Sequence, residues 1–431
     1  VFTGNFINYV FGKQNLVILE KDIIEISDMN VYVALLAWMG DKMEYKLNRA
    51  WAEINLDNIA HNVREIRRIT NKNAEIMGVV KADAYGHGVL EVARTILENG
   101  VTRLAVSMLD EAIQLRKHGI NVPIFILGYT DPIRAKEIIE YDVTQSVFSH
   151  ELAKALSDEA VRQGRKVKIH IKIDTGMSRI GFLPGYSAVK NVVEISRLPN
   201  IIIEGLFTHF ATADEKNREF TLLQFERFMS ICNELQRIGV HIPVKHCANS
   251  GGIIEYPEMH LDMVRPGIIQ YGLYPSDEVD KSKIHLKPAM SLKANIIMVK
   301  EVEKGTSISY GRIFTTTRTS RIATIPIGYA DGYTRMLSNK GKVLIHGQFA
   351  PIVGRICMDQ CMVDVTDLTE DVEVGDEVVL IGKQGDNSIS VEDVASTIGM
   401  INYELVCIVG KRIPRAFVKD GKISKILNYL I

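Results

Sequence analysis

Cysteine is scarce in this chain of 431 residues. The five cysteines, Cys232, Cys247, Cys357, Cys361 and Cys407, are odd in number and too scattered to form a disulfide framework. Only Cys357 and Cys361 are close, and a CxxxC pair without a second pair or nearby histidines is a weak zinc signature, so no metal is expected. Buried thiols in a reducing, cytoplasmic compartment are the simpler reading. An excess of either charge is also missing. The 51 basic and 52 acidic residues leave a formal charge of −1, which provides no basic field for nucleic acid. Long apolar runs are absent near the N-terminus: the stretch at 31–39 falls short of the roughly 20 residues that span a bilayer. No GxGxxG follows the first strand signal, which argues against a dinucleotide-binding sheet.

The remaining composition is that of an ordinary globular chain, with 46 % hydrophobic and 24 % charged residues. The length suits two or three domains. Residues 1–47 read as an N-terminal extension. A short helical appendage is the simple expectation for it, and the stub of a membrane domain acting as a tether is the alternative. It has no basic n-region and no small-residue cleavage site, so a secretory leader is not expected.

From Trp51 onward, short β-branched runs alternate with segments of helical period. Strands are expected at 76–80, 103–107, 123–127, 145–148, 167–173, 202–208, 244–247 and 262–264. Helices are expected between them, as at 89–99, 109–118, 151–164 and 218–239. Strands that are apolar throughout belong to a parallel sheet covered on both faces. Eight such units predict an α/β fold, a (β/α)8 TIM-like barrel over 48–283, with a doubly wound sheet as the alternative. After residue 283 helical signals nearly vanish. Alternating stretches at 292–299, 321–326, 342–345, 351–355, 362–365 and 377–381 predict a mostly β domain over 284–431.

In such barrels the functional groups sit at the C-terminal ends of the strands. Here those ends carry Lys81, Lys172 with Asp174, Thr208 with His209, His246 with Asn249 and Ser250, and Arg265 with Gly267 and Ile268. A single lysine after an apolar strand is usually a solvated strand end. Five polar strand ends converging on one mouth are harder to explain that way. A lysine held in a pocket can lose its proton and attack a carbonyl. Backbone N–H groups near Ser250, Gly267 and Ile268 could cradle a phosphate. Pyridoxal phosphate fits both features; aldolase-type and metal-dependent barrels remain alternatives on these residues alone.

The stretch Val79-Val80-Lys81-Ala82-Asp83-Ala84-Tyr85-Gly86-His87-Gly88 resembles the cofactor-lysine motif of the alanine racemases. Further motifs of that family follow in order: Lys172-Ile173-Asp174-Thr175-Gly176-Met177-Ser178-Arg179, Thr208-His209-Phe210-Ala211, Arg265-Pro266-Gly267, Ser309-Tyr310-Gly311, Gly328-Tyr329-Ala330-Asp331-Gly332, Cys357-Met358-Asp359-Gln360 and Asn402-Tyr403-Glu404. The resemblance runs from about residue 50 to 415. It implies a bacterial enzyme dependent on pyridoxal 5′-phosphate, working as a homodimer whose active sites are shared between subunits. Its product, D-alanine, would feed peptidoglycan synthesis.

Under this resemblance Lys81 carries the cofactor as a Schiff base and moves the proton on one face of the substrate Cα. Tyr310 from the other subunit acts on the opposite face. Racemisation needs two such groups, because a proton leaves one face and returns on the other. His209 stands beside the tyrosine, with Arg265 beyond it facing the pyridine nitrogen. Tyr85, Ser250, Gly267, Ile268 and Tyr403 match phosphate-contacting positions, with Asn249 alongside. Arg179 matches the residue that holds the cofactor phenolic oxygen and the substrate carboxylate. Lys172 matches a position that is often carbamylated. Met358 and Asp359 line the substrate end from the partner, and Tyr329 its entrance.

The N-terminal extension departs from a plain alanine racemase and is similar to that of vancomycin-resistance serine/alanine racemases, in which a smaller polar residue can replace the tyrosine. Tyr403 favours the methyl side chain, so L- and D-alanine are the expected substrates, with serine as the alternative. A non-catalytic single-barrel protein binding the same cofactor is disfavoured by the β domain carrying Tyr310. A decarboxylase or D-amino-acid aldolase is a third reading; Arg265 stands where the decarboxylases usually have a carboxylate. His87 and His246 are expected to be structural, His170 to be barrel packing and Tyr333 to be a surface residue.

Overall fold

The structure is a computed structural model that describes residues 6–11, 14–19, 22–26, 47 and 49–431. Two compact units divide the chain, residues 1–48 and 49–431. In the first unit Phe6–Phe11, Gln14–Leu19 and Asp22–Ile26 form a three-stranded antiparallel meander. This corrects the short helical appendage expected for residues 1–47 where those residues are described. Ile, Val and aromatic residues crowd these short runs and favour extended backbone. The apolar stretch at 31–39 lies outside the described residues. Among the described residues, no helix is long and apolar enough to cross a membrane.

In the second unit eight parallel strands stand in the order Val244–His246, Ile201–Phe207, Val167–Lys172, Thr144–Val147, Ile124–Ile126, Arg103–Val106, Glu75–Val79 and Met263–Val264. Backbone hydrogen bonds from Asp262 to Lys245 (3.1 Å) and from Arg265 to Ala248 (3.0 Å) join the two ends of this order and close the barrel. The strands form where the sequence shows consecutive apolar residues. Ile124–Ile126 and Thr144–Val147 are buried at every position, as expected of a sheet wrapped by helices. The helices begin at side-chain caps. Asn55 Oδ1 accepts from Asn58 N at 2.8 Å ahead of Leu56–Ile69, and Ser149 caps His150–Arg162.

A second sheet runs Gln348–Pro351, Lys342–Ile345, Glu377–Gln384, Met290–Asn295, Ala50–Asn55, Arg415–Lys419 and Lys422–Leu427. Ala50–Asn55 was expected inside the barrel segment. Instead it pairs antiparallel with Met290–Asn295 and parallel with Arg415–Lys419. The strand that precedes the barrel in sequence is thus a central strand of the C-terminal sheet. The expected strand at 292–299 divides into Met290–Asn295 and Met298–Val302, which belong to different sheets. Of the stretch at 351–355, Pro351 ends Gln348–Pro351 and Ile352 makes only an isolated bridge to Val363. The helices Val391–Ile398 and Asn402–Cys407 were not expected. One continuous apolar core extends from the barrel into this sheet.

Arg415 ties the C-terminal strands to the barrel mouth. It is buried, and its guanidinium donates to four backbone carbonyls: Gly86 (2.9 Å), Gly410 (2.7 Å), Ile413 (2.5 Å) and Val409 (2.6 Å). Replacing it by Met would remove these four hydrogen bonds at once and leave only the Gly410 carbonyl with its backbone donor, Ile413 N at 3.1 Å. Arg415→Met is expected to lower stability by about 3 kcal/mol or more, read as a lower midpoint in urea unfolding followed by circular dichroism.

Candidate active site at the barrel mouth

Lys81 directly follows the strand Glu75–Val79 and its flanking Val80. The next four residues, Ala82, Asp83, Ala84 and Tyr85, all have positive φ, between 52° and 54°. They form a turn of left-handed helix, a conformation that costs roughly 1–2 kcal/mol per residue for L-amino acids. The surroundings hold it in place. Ala82 N donates to Glu111 Oε1 at 2.6 Å, and Asp83 Oδ1 accepts from Val89 N at 2.8 Å. The Tyr429 hydroxyl donates to Asp83, and Arg415 holds the Gly86 carbonyl. A Cβ on Gly86 would lie 2.4 Å from the Val406 carbonyl oxygen, so the turn needs glycine there both for φ and for space.

Burial pushes the proton affinity of the Lys81 amine down, and the positive charge of Arg179 pushes it further; Glu111 opposes both. Lys172 ends the strand Val167–Lys172, is 3 % exposed and donates to the Ile173 carbonyl at 3.2 Å. Burial, with the charge of Arg265, lowers its pKa to about 7, against the pull of Asp174. Its Nζ lies 5.1 Å from the centre of the Phe207 ring, and the Arg265 guanidinium lies 5.7 Å from the same ring. Arg179 is exposed at this mouth, on a loop shaped by Asp174 Oδ1, which accepts from Gly176 N and Ser178 N at 3.0 Å each.

Arg265 is buried yet has no carboxylate among its hydrogen-bond partners. Nη1 donates to His246 Nδ1 at 2.7 Å, and Nη2 donates to the carbonyls of Thr208 (2.8 Å) and Cys247 (2.9 Å). His209 Nδ1 stands 3.4 Å from Nη2. Nε makes no hydrogen bond among the described residues, which leaves a charged donor for an acceptor in the mouth. Burial lowers the Arg265 pKa to about 10, so the guanidinium stays charged at neutral pH. Burial and the charges of Arg265, Lys172, Arg179 and Lys81 keep the His209 imidazole neutral.

Beside these groups is a small polar cradle. Gly267 N donates to Ser250 Oγ at 3.0 Å, and Asn249 Oδ1 accepts from Gly252 N at 3.0 Å. A Cβ on Gly267 would lie 2.9 Å from the Tyr85 hydroxyl, so only glycine lets this backbone approach the tyrosine so closely. Ile268 begins the 3-10 turn Ile268–Tyr271, and the Tyr85 ring lies 4.8 Å from Tyr271 and 6.3 Å from Tyr403. Burial pushes the hydroxyl pKa values of Tyr85 and Tyr403 upward, so both remain protonated donors.

The other expected site residues are elsewhere. Tyr310 is 70 % exposed and, with Tyr329, lines a surface hollow whose walls include no barrel residue. The loop with Met358 and Asp359 packs on the turn at Tyr329: Tyr329 N donates to the Cys357 carbonyl and Ala330 N to that of Met358, each at 3.0 Å. Asp359 pairs with Arg412 at 2.7 Å. The expected residues therefore fall into two groups, one at the barrel mouth and one on the exposed face of the C-terminal half. Tyr333, expected at the surface, is 3 % exposed and packs in the core below this face.

Several residues of the mouth carried no signal in the sequence. Glu111 is one helical acid among many until its contact with Ala82 is seen. Arg415 and Tyr429 are more than 300 positions from the turn they hold. The helix Asn402–Cys407 packs on that turn as well. His170, expected to be barrel packing, and His246, expected to be structural, are buried and hydrogen-bonded to each other at 2.8 Å.

The chain matches two family models, one described as alanine racemase, N-terminal domain, over residues 54–275, the other as alanine racemase, C-terminal domain, over residues 289–417. It is 53 % identical over 380 residues to alanine racemase 1 of Clostridium acetobutylicum, which spans 88 % of this chain and 98 % of that protein. Among solved structures, the alanine racemase of Clostridium difficile 630 superposes with a TM-score of 0.85 at 44 % identity, covering 89 % of this chain and 99 % of that one. The alanine racemase of Bacillus anthracis with bound L-Ala-P superposes with a TM-score of 0.84 at 39 % identity, covering 89 % and 98 %.

The depressed proton affinity of Lys81 has a direct readout. In protein prepared without added ligand, the pH midpoint for its labelling by a small acylating reagent is expected below that of the lysine side chain in a short reference peptide, because only the neutral amine reacts. Peptide mass mapping across pH measures the Lys81 midpoint; one equal to that of the reference peptide would contradict the described environment.

Proposed function

The chain belongs to the alanine racemase family, and we propose that it interconverts L-alanine and D-alanine with pyridoxal 5′-phosphate held at the barrel mouth. The observation that carries this reading is the Lys81 amine, biased toward its neutral form, in one mouth with a buried Arg265 that has no carboxylate partner. The residues fit the cofactor: a nucleophilic amine for the aldehyde, a charged Nε donor for the pyridine nitrogen, and Ser250, Gly267, Ile268, Tyr85 and Tyr403 around a space suited to the phosphate. When bound, the cofactor supplies the electron-withdrawing ring that makes the Cα proton of alanine removable.

The chain's own residues do the rest. Lys81 takes or returns the proton on one face of Cα, which needs the neutral amine that its burial favours. The partner subunit's Tyr310 serves the opposite face. Its exposure on a hollow without barrel residues supports delivery to a second copy of the chain, with Tyr329, Met358 and Asp359 arriving on the same face. Neutral His209 beside Arg265 orients the tyrosine's proton. Arg265 stays protonated; facing the pyridine nitrogen of the cofactor it would leave that nitrogen unprotonated, and the weaker electron withdrawal would favour simple reprotonation over transamination. Arg179 holds the substrate carboxylate. The bulk of Tyr403 favours a methyl over a hydroxymethyl group, which puts alanine ahead of serine. The product would supply peptidoglycan synthesis in the cytoplasm. A non-catalytic single-barrel protein is not favoured, since the C-terminal family model matches residues 289–417.

Lys172 is proposed to be carbamylated. Its amine nitrogen adds to the carbon of CO2 and releases a proton, and the new carboxylate faces the charges of Arg265 and Arg179. The amine is mostly neutral above a pH of about 7, so with 13C-bicarbonate a carbamate carbon signal is expected to grow as pH rises through that value. The signal should be missing from Lys172→Met; a signal of equal strength there would assign it to another lysine.

The shared site is tested by mixing. Lys81→Ala and Tyr310→Ala chains, each supplied with cofactor, are expected to leave L-alanine unconverted by chiral chromatography. Co-expressed, they are expected to regain about a quarter of the wild-type rate, because about half of the dimers are mixed and each of those keeps one intact site. No recovery would remove the shared site, and D-alanine production by Lys81→Ala alone would remove the assignment of Lys81.

A further inference from the structure

A column of polar groups crosses the barrel interior from its N-terminal end to Arg265. At the bottom, Arg103 at the start of the strand Arg103–Val106 bonds Glu75 Oε2 (2.6 Å) and Glu204 Oε2 (2.7 Å), and Lys168 lies 3.2 Å from Glu204 Oε1. Glu204 Oε2 stands 3.1 Å from His170 Nε2. His170 Nδ1 stands 2.8 Å from His246 Nε2, and His246 Nδ1 accepts from Arg265 Nη1 at 2.7 Å. Both imidazoles are fully buried. Phe125 packs on His170 with ring centres 4.6 Å apart, and Phe207 stacks on His246 at 5.0 Å and 5°.

The backbone is built for this column. In the pairing of Ile201–Phe207 with Val167–Lys172, Ile203 faces Ile169 and Gly205 faces His170, so Glu204 is an extra, bulged residue. A bulge re-aims a side chain, and here Glu204 bonds His170 in the barrel interior. The next residue, Gly205, has no Cβ, which in its place would lie 2.5 Å from the His170 ring. Any other residue there would displace the imidazole.

From Arg265 to Glu204 every bond in the column donates in the same direction. The Glu204 carboxylate only accepts, so His170 carries its proton on Nε2 and offers a lone pair at Nδ1. His246 then donates from Nε2 and accepts at Nδ1, and arginine, which only donates, closes the chain. Burial acting against His170 and Arg103 leaves the Glu204 pKa at about 2, and burial keeps both imidazoles neutral. Without an acceptor at the bottom, the His170 Nε2–H would be dry and unpaired. Relief comes from moving that proton to Nδ1, where it would oppose the His246 donor and break the chain that ends on Arg265.

We infer that Glu204 is a positioning residue that acts from the far end of the barrel, through His170 and His246, to hold Arg265 in place. Its kinetic consequence rests on the reading of Arg265 as facing the cofactor; the histidine tautomers do not.

The test uses 15N-labelled protein, with His170 and His246 assigned through single replacements, and reads imidazole nitrogen shifts. In the wild type both rings are expected to be neutral with the proton on Nε2. In Glu204→Leu, His170 is expected to populate the Nδ1–H form, and kcat/KM for L-alanine to fall about tenfold or more, the scale of losing an outer-sphere partner. Glu204→Gln, whose amide oxygen still accepts, is expected to keep the wild-type tautomers and a rate within about threefold. A wild-type His170 or His246 that is cationic or protonated on Nδ1 overturns the inference, as do unchanged tautomers in Glu204→Leu. The wild-type spectrum decides the matter if Glu204→Leu does not fold. Should the wild type lack racemase activity, the tautomers still decide the role of Glu204, so the two readings fail separately.

Discussion

Removing a positive charge from water is expensive unless the group sheds its proton or finds partners. The barrel mouth is organised around that constraint. Lys81, Lys172 and Arg265 are brought together where carboxylates are nearly excluded, and each responds differently. The two lysines shift toward neutral amines. Arginine cannot follow, so its charge is dispersed over two carbonyls and an imidazole. The same crowding keeps His209 neutral.

Chemistry of that kind needs a rigid frame, and the frame is strained where it meets Lys81. A left-handed turn of Ala82, Asp83, Ala84 and Tyr85 has no intrinsic preference for its shape. It persists because contacts from distant segments outweigh the strain: Glu111 from the next barrel unit, and Arg415 and Tyr429 from the last strands of the second sheet. The C-terminal half therefore does more than carry Tyr310. It also clamps the turn that orients the lysine.

The repeating part of the architecture was readable because each barrel strand is a short apolar run and each helix an amphipathic one. All eight strand positions agree with the structure to within a few residues. The failures share one cause. Ala50–Asn55 joins a sheet whose other strands lie more than 230 residues later, and 292–299 divides because its halves pair with different neighbours. Local pattern signals that a segment is extended, but not what it pairs with. The histidines show the same limit: His170 and His246 are core residues, as expected, but their bonds to Glu204 and Arg265 emerge only when those residues are placed at either end of them.

The amino-acid sequence by itself determined the barrel, the presence of a β-rich second half and the chemical identity of the groups at each strand end, because side-chain type and period are local properties. Tertiary structure alone decided which charges share the mouth, which protons they keep, and that Tyr310 is exposed on a hollow lined by no barrel residue. Those outcomes depend on distance and burial between residues far apart in sequence, and hydration of a charge is set by everything that surrounds it in space.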